Sequence, residues 1–242
     1  MTTGTYAYAP SAANVVLNAF GMIQLRRPEL TTAHLTDAAE CANLLMVDIS
    51  NRNPHRWTME TQTVALTATV ATYALTTRTL AVALVTAALN NVDRVLGPIS
   101  ATDYAALPNK TQAGPPVSYF FNLQVAPTLT LWPVPDAASA TTLSITCFRQ
   151  LQDVDLSGGQ TLDAPYRFLD ALATGLAFRL GHMYPDALIK AKGQNALSDL
   201  EMLYEKRLLI ACSRDRQRTP LYLTPGLSSY FRALPFLLAA LS

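Results

Sequence analysis

The side chains in this sequence best suited to chemistry are thiols, imidazoles and one small group of carboxylates. His34 and Cys41 stand seven positions apart within one stretch of helical periodicity. Such a pair can act as base and nucleophile when the imidazole draws the proton from the thiol. Two helical turns, however, separate Cβ atoms by roughly 10 Å, which is beyond hydrogen-bond reach. Cys41 therefore reads as plain helix core. His55 and His182 lie far from His34, and no His or Cys spacing matches a metal-binding pattern. Asp153, Asp155 and Asp163 gather around Ser-Gly-Gly at 157–159. Paired carboxylates can hydrolyse a glycan. Aspartate is also a common turn and cap residue, and that role accounts for all three. No glycine-rich phosphate loop is present. The reading is a protein without catalytic, cofactor-binding or metal-binding residues.

Two other stretches suit contact with a partner. CSRDRQR, 212–218, sets Arg214, Arg216 and Arg218 against one aspartate at a helix end. Cations there complement the helix dipole, and the same three are candidates for contact with an acidic partner surface or a DNA backbone. The last stretch, SSYFRALPFLLAALS, crowds Tyr230, Phe231, Phe236 and Leu237 into a place where chains are usually polar and loose. Exposed apolar groups at that density invite aggregation, so they must be buried on this chain or on another. Thr219-Pro220 and Thr224-Pro225-Gly226 interrupt helix formation, so 219–242 is expected to leave the body of the protein as an extended arm.

The elements that carry these residues follow from periodicity. A helix is expected over 11–26, with Val16, Phe20 and Ile23 on one stripe and Arg26 and Arg27 complementing the dipole at its end. A second, capped by Thr31 or Thr32, carries Leu35, Ala38, Ala42, Leu45 and Ile49 and stops near Asn53-Pro54. From Trp57 the period changes to two. Val64 and Leu66 alternate with polar or small residues, then Leu80, Val82 and Leu84, then Val117, Tyr119, Phe121 and Leu123. Leu129 and Leu131 follow, then Leu143, Ile145 and Cys147, together suggesting an antiparallel sheet or sandwich. The strand at Leu129 runs into Trp132, Pro133 and Pro135, where a sheet ladder must stop or lie on an edge. Ser100 with Asp103 resembles a capping box, so a short helix should interrupt the strands.

Helical periodicity returns after the glycines. Asp163 reads as the cap of a helix with Pro165 in its first turn and Leu169, Leu172, Leu176, Leu180 and Met183 as its stripe. A fourth helix, from 186 to about 214, carries Leu197, Leu200, Tyr204, Leu208 and Ala211 and would be roughly 40 Å long. The fold class is α+β. A helical bundle formed by 1–56 and 158–218 holds an inserted antiparallel β domain at 57–157, with the arm at 219–242.

Bulk composition limits the function. The 242 residues are 50% hydrophobic and only 14% charged, well below the usual ~25%. A surface that poor in charge suits contact with other protein. Lys plus Arg is 18 and Asp plus Glu is 17, a net charge of +1. A dedicated nucleic-acid binder is more basic, so DNA near this protein is expected to pass rather than stick. Three cysteines are too few for a disulfide framework. MTTGTYAYAP lacks the pattern of a secretory signal, and no apolar run reaches the ~20 residues that span a bilayer. A soluble protein made in a cytoplasm is expected.

An ordered set of motifs then resembles a known family. Tyr73-Ala-Leu is followed by Gly97-Pro-Ile-Ser-Ala-Thr-Asp-Tyr104 and by Gly114-Pro-Pro-Val-Ser-Tyr119. Next come Pro127-Thr-Leu-Thr-Leu-Trp-Pro-Val-Pro-Asp136, Arg149-Gln-Leu-Gln-Asp153 and Leu162-Asp-Ala-Pro-Tyr-Arg. Their order and spacing, over about residues 12–210, resemble the head-to-tail adaptors (tail accessory, or packaged-DNA stabilisation, proteins) of short-tailed phages. The resemblance implies an elongated bundle with an inserted β domain and a dodecameric ring beneath the portal protein. Such a ring would prolong the channel for double-stranded DNA, help retain the packaged DNA and carry the tail nozzle or tube. The protein would be a structural virion component, not an enzyme, made in the host bacterial cytoplasm. Trp132-Pro133 is then a structural corner, and Tyr230, Phe231, Phe236 and Leu237 dock on the portal or a neighbouring subunit. The competing reading is a peptidoglycan-degrading or glycan-binding tail component, resting on Asp153 and Asp155.

Overall fold

The structure, a computed structural model, describes residues 8–52, 55–89, 92–137, 142–156 and 159–215, the side chains of Ala191, Arg214 and Asp215 excepted. In chain order the elements are α1 (Ala12–Met22), α2 (Thr32–Arg52), β1 (Met59–Ala65), β2 (Thr72–Ala74), β3 (Thr79–Leu89), β4 (Val92–Val95) and β5 (Gly97–Pro98). They continue with α3 (Ala101–Ala106), β6 (Ser118–Asn122), β7 (Thr128–Trp132), β8 (Thr142–Arg149), α4 (Leu169–Met183), α5 (Pro185–Lys192) and α6 (Ala196–Asp215). Two compact units divide the described chain. One runs up to Trp57 and resumes at Leu151, and the other lies between, from Thr58 to Gln150.

In the first unit the apolar stripes of α1, α2, α4, α5 and α6 share one core, including Phe20, Ile49, Leu180, Leu188 and Leu208. The central helix is α4, buried without interruption from Ala171 to Ala177. Its small residues let neighbours come close, and a Cβ on Gly175 would sit 2.6 Å from the Tyr204 ring and 3.0 Å from Leu45. The start of α2 is fixed by a reciprocal cap: Thr31 Oγ1 accepts from the His34 N–H at 3.4 Å, and His34 Nδ1 accepts from the Thr31 N–H at 3.0 Å.

Three helix expectations need correction. First, α1 stops at Met22 because Gln24 takes a left-handed φ of 67°, so Arg26 and Arg27 fall outside it. Arg27 instead opens the short 3₁₀ turn Arg27–Glu29. Second, Asp163 caps no helix, because a 3₁₀ turn, Tyr166–Phe168, moves the start of α4 to Leu169. Its carboxylate accepts from the Gln152 N–H at 3.1 Å instead. Third, the long fourth helix is two helices, since Gly193, at φ 90°, ends α5 in a conformation that favours glycine.

The second unit holds two four-stranded sheets, in the orders β1-β8-β3-β4 and β2-β7-β6-β5. Val82, Val85, Leu143 and Ile145 of the first sheet share one core with Tyr73, Tyr119, Leu129 and Leu131 of the second. The pairing is antiparallel except between β5 and β6, which run parallel. On β3 the expected face breaks. A register shift between Val82 and Leu84 puts Val85 and Ala87 inside and leaves Leu84 exposed, as a β-bulge does. Val117 and Leu123 lie just outside β6 and are exposed too. Ser100 and Asp103 form the expected capping box on α3. At the end of β7, the cis Trp132-Pro133 peptide leads the chain off the sheet. Trp132 Nε1 donates to the Asn109 carbonyl at 3.0 Å, and Val134 exchanges backbone hydrogen bonds with Gln112 and Gly114.

Candidate functional site

The structure does not bring the candidate nucleophile and base together. The His34 imidazole is occupied by the α2 cap and packs edge-on against Tyr184 at 4.8 Å. Cys41 points to Met183, donating its S–H to Sδ at 3.3 Å, and burial pushes its thiol pKa up, away from a reactive thiolate. His55 is buried, stacks on Trp57 at 4.2 Å and donates Nε2 to the Ile49 carbonyl at 3.3 Å. His182 packs against Phe178 at 4.7 Å.

The aspartates belong to a loop that is pinned to the bundle. Val154 donates its N–H to Asn43 Oδ1 at 2.6 Å, and the Asp155 N–H donates to Gln160 Oε1 at 3.0 Å. Asp163 holds Gln152 by its carboxylate, while its carbonyl accepts from Trp57 Nε1 at 3.3 Å. Asp153 is exposed. These contacts shape a loop and hold it against the bundle. Among the described residues no group of three or more His, Cys, Asp or Glu could hold a metal ion. Nor is any helix among them long and apolar enough to cross a membrane.

Several charged groups of the bundle helices are paired within the subunit. Asp48 bridges Arg52 at 3.2 Å and Arg179 at 3.6 Å, and Arg52 reaches Glu205 at 2.7 Å. Arg207 bridges Asp170 at 2.7 Å and also bonds Thr174 Oγ1. Burial raises the Tyr204 phenol well above its ordinary value, keeping it neutral beneath Arg52. Tyr184 donates to Asp37, and that hydrogen bond is the main reason its pKa is pushed up to about 12.

Apolar side chains are also open to partners on both units. An open cleft of about 570 Å³ lies between α1, α4 and α6, with Tyr8 and Tyr166 in edge-to-face contact at its rim. Leu44 and Val47 are exposed on α2, and Met202 and Leu209 on α6. In the β unit Val92 and Val95 are exposed on edge strand β4, and Val125, 96% exposed, on the β6–β7 hairpin. Sequence reasoning missed these positions. The signal was present, because Leu44, Val47, Met202 and Leu209 repeat at helical spacing off the main stripes. Of the earlier candidates, Arg214 lies in the last turn of α6 with its side chain undescribed. Arg216, Arg218, Tyr230, Phe231, Phe236 and Leu237 lie outside the described residues.

The family model described as SU10 adaptor protein matches residues 17–225, spanning both units. A search of curated proteins finds no match.

Proposed function

We propose, from the premise that the chain belongs to the SU10 adaptor protein family, that it forms a ring docked under the portal of a phage head. Family membership makes it a structural phage adaptor, a virion component of the head-to-tail interface that works with portal and tail partners and with further copies of itself. The finer reading is a dodecameric ring that prolongs the DNA channel, helps retain packaged DNA and carries the tail nozzle or tube. On this reading the bundle, 1–56 with 158–218, is built around the inserted domain 57–157, and 219–242 is a docking arm. Tyr230, Phe231, Phe236 and Leu237 anchor that arm on the portal or a neighbour, and Arg214, Arg216 and Arg218 face the portal or the passing DNA. The subunit is made in the host cytoplasm and assembled there.

The family match over 17–225 carries this reading. Exposed apolar positions on both units suit a subunit that meets other protein, and a net charge of +1 suits a conduit through which DNA slides. The aspartate-loop contacts, Asp163 to Gln152 and Asp155 to Gln160, suit a loop brace rather than a glycan hydrolase. Co-sedimentation of the purified chain with phage heads tests the reading. The chain should sediment with portal-bearing heads and stay in the supernatant with portal-free ones. Equal binding to both, or to neither, would overturn it.

A further inference from the structure

We infer that the cleft between α1, α4 and α6 receives residues 226–242 of a neighbouring copy; this rests on the adaptor reading and gives its docking arm a seat. Asn14 and Asn18 line the cleft along α1, and Arg207, Ile210 and Ala211 line it along α6. Tyr8 (67% exposed), Tyr166 (74%) and Ile210 (47%) offer it apolar surface. Arg207 is paired with Asp170, and Arg167 lies over the Trp57 and Phe168 rings. Asn14 and Asn18 are exposed, and among the described residues neither carboxamide has a hydrogen-bond partner. A carboxamide both donates and accepts, as a peptide backbone does. These two stand one helical turn apart, a rise of about 6 Å, close to the ~6.6 Å that two residues span in an extended chain. The pair is therefore spaced to bond an extended segment at residues two apart, while its apolar side chains cover Tyr8, Tyr166 and Ile210.

The length and character of the chain outside the structure choose the occupant. Residues 1–7 and 216–242 lie beyond the described ends. The first stretch, MTTGTYA, is short and carries one aromatic residue. The second holds Tyr230, Phe231, Leu234, Phe236 and Leu237, and Pro235 biases Leu234 toward an extended backbone. The exit point favours the next copy. α6 ends at Asp215, one turn past Ile210 and Ala211 of the cleft wall. To fill its own cleft, 226–242 would have to double back along the helix the chain has just left. Pro220 and Pro225 instead suit an extended run through 216–225, whose reach of roughly 33 Å matches the ~30 Å length of α6 and the width of a small domain. Arm and cleft are different surfaces of one chain, so the contact is heterologous. Each copy gives one arm and takes one, the pattern by which identical subunits close into a ring.

Thiol cross-linking on portal-bearing heads tests the contact in the full chain. The native cysteines are buried, so a short bis-maleimide should leave the wild-type chain uncross-linked. Asn18→Cys combined with Phe236→Cys should give a ladder of multimers. Leu234→Cys, on the other side of Pro235, repeats the test should Phe236→Cys fail to join heads. Chains with Asn18→Cys mixed with chains carrying Phe236→Cys should give dimers that neither gives alone. Asn14→Ala with Asn18→Ala should leave the Tm no lower, since both positions are exposed. The same double substitution should lower joining to heads about tenfold, through the loss of hydrogen bonds to the arm. Internally linked monomers without a ladder would mean that the arm fills its own cleft, and no linkage in chains that join heads would mean that it seats elsewhere. Either result overturns the contact while sparing the adaptor reading, as would asparagine variants that join at the wild-type level. A wild-type chain that never joins heads would overturn the adaptor reading and this contact together.

Discussion

Gly175 marks the tightest approach in the bundle, where α4 meets Tyr204 of α6 and Leu45 of α2. Neither neighbour can move freely, since both side chains are buried in the same core. Gly175→Ala should therefore destabilise the protein by about 1–3 kcal/mol, the usual cost of overpacking, despite alanine's better helix propensity. Urea unfolding would check this, and an equal or higher midpoint would show that the packing relaxes. Tyr184 makes a pH-dependent prediction. Its pKa is raised from the ordinary 10 to about 12, chiefly by its hydrogen bond to Asp37. The folded state thus holds the phenolic proton more tightly than the unfolded state. The stabilisation is present in full below pH 10 and is lost as pH rises through about 12. Wild type should be more stable than Tyr184→Phe at pH 8, and the gap should close between pH 10 and 12. A gap independent of pH in thermal unfolding would reject the assignment.

Elements were legible where one stripe or one cap decides them. Leu45 and Ile49, Leu172 and Leu176, Leu129 and Leu131, and Leu143 with Ile145 are core positions that period alone identifies. Ser100 and Asp103 announced α3 through side-chain chemistry. Departures came from backbone geometry that side-chain period does not report. The stripe of Leu197, Leu200, Tyr204 and Leu208 gives no sign of a break before it, yet Gly193 turns the chain at φ 90° and ends α5. One extra residue in β3 exchanged Leu84 for Val85 on the buried face. Met202 and Leu209 went unnoticed as a surface because exposure depends on which stripe wins the core. If Gly193 has the role assigned to it, Gly193→Ala must force a side chain into the left-handed region and should cost about 1–3 kcal/mol. Calorimetry with an unchanged Tm would contradict that.

The whole molecule has the character of an assembly component. Among the described residues, the thiols and imidazoles weighed for chemistry are buried, capped or packed on aromatic rings, the aspartates are built into a loop, and apolar side chains are exposed on both units. Cooperation among identical copies turns modest contacts into tight docking. The stretch 226–242 is read as part of such docking, its aromatic and leucine side chains each worth roughly 1.5–3 kcal/mol when fully buried. Deleting 226–242 should leave a folded, soluble subunit that no longer joins portal-bearing heads. A truncated chain that joins as well as the full one would remove the arm from the account. One that cannot fold would assign the stretch to the subunit's own core.

The central claim, an adaptor ring on the portal, is tested most directly by the mass of isolated portal rings before and after saturation with the purified chain. The account predicts one discrete heavier species, its added mass equal to a dodecamer of 26.2 kDa copies. An unchanged portal mass, or a graded series with no closed stoichiometry, would contradict it.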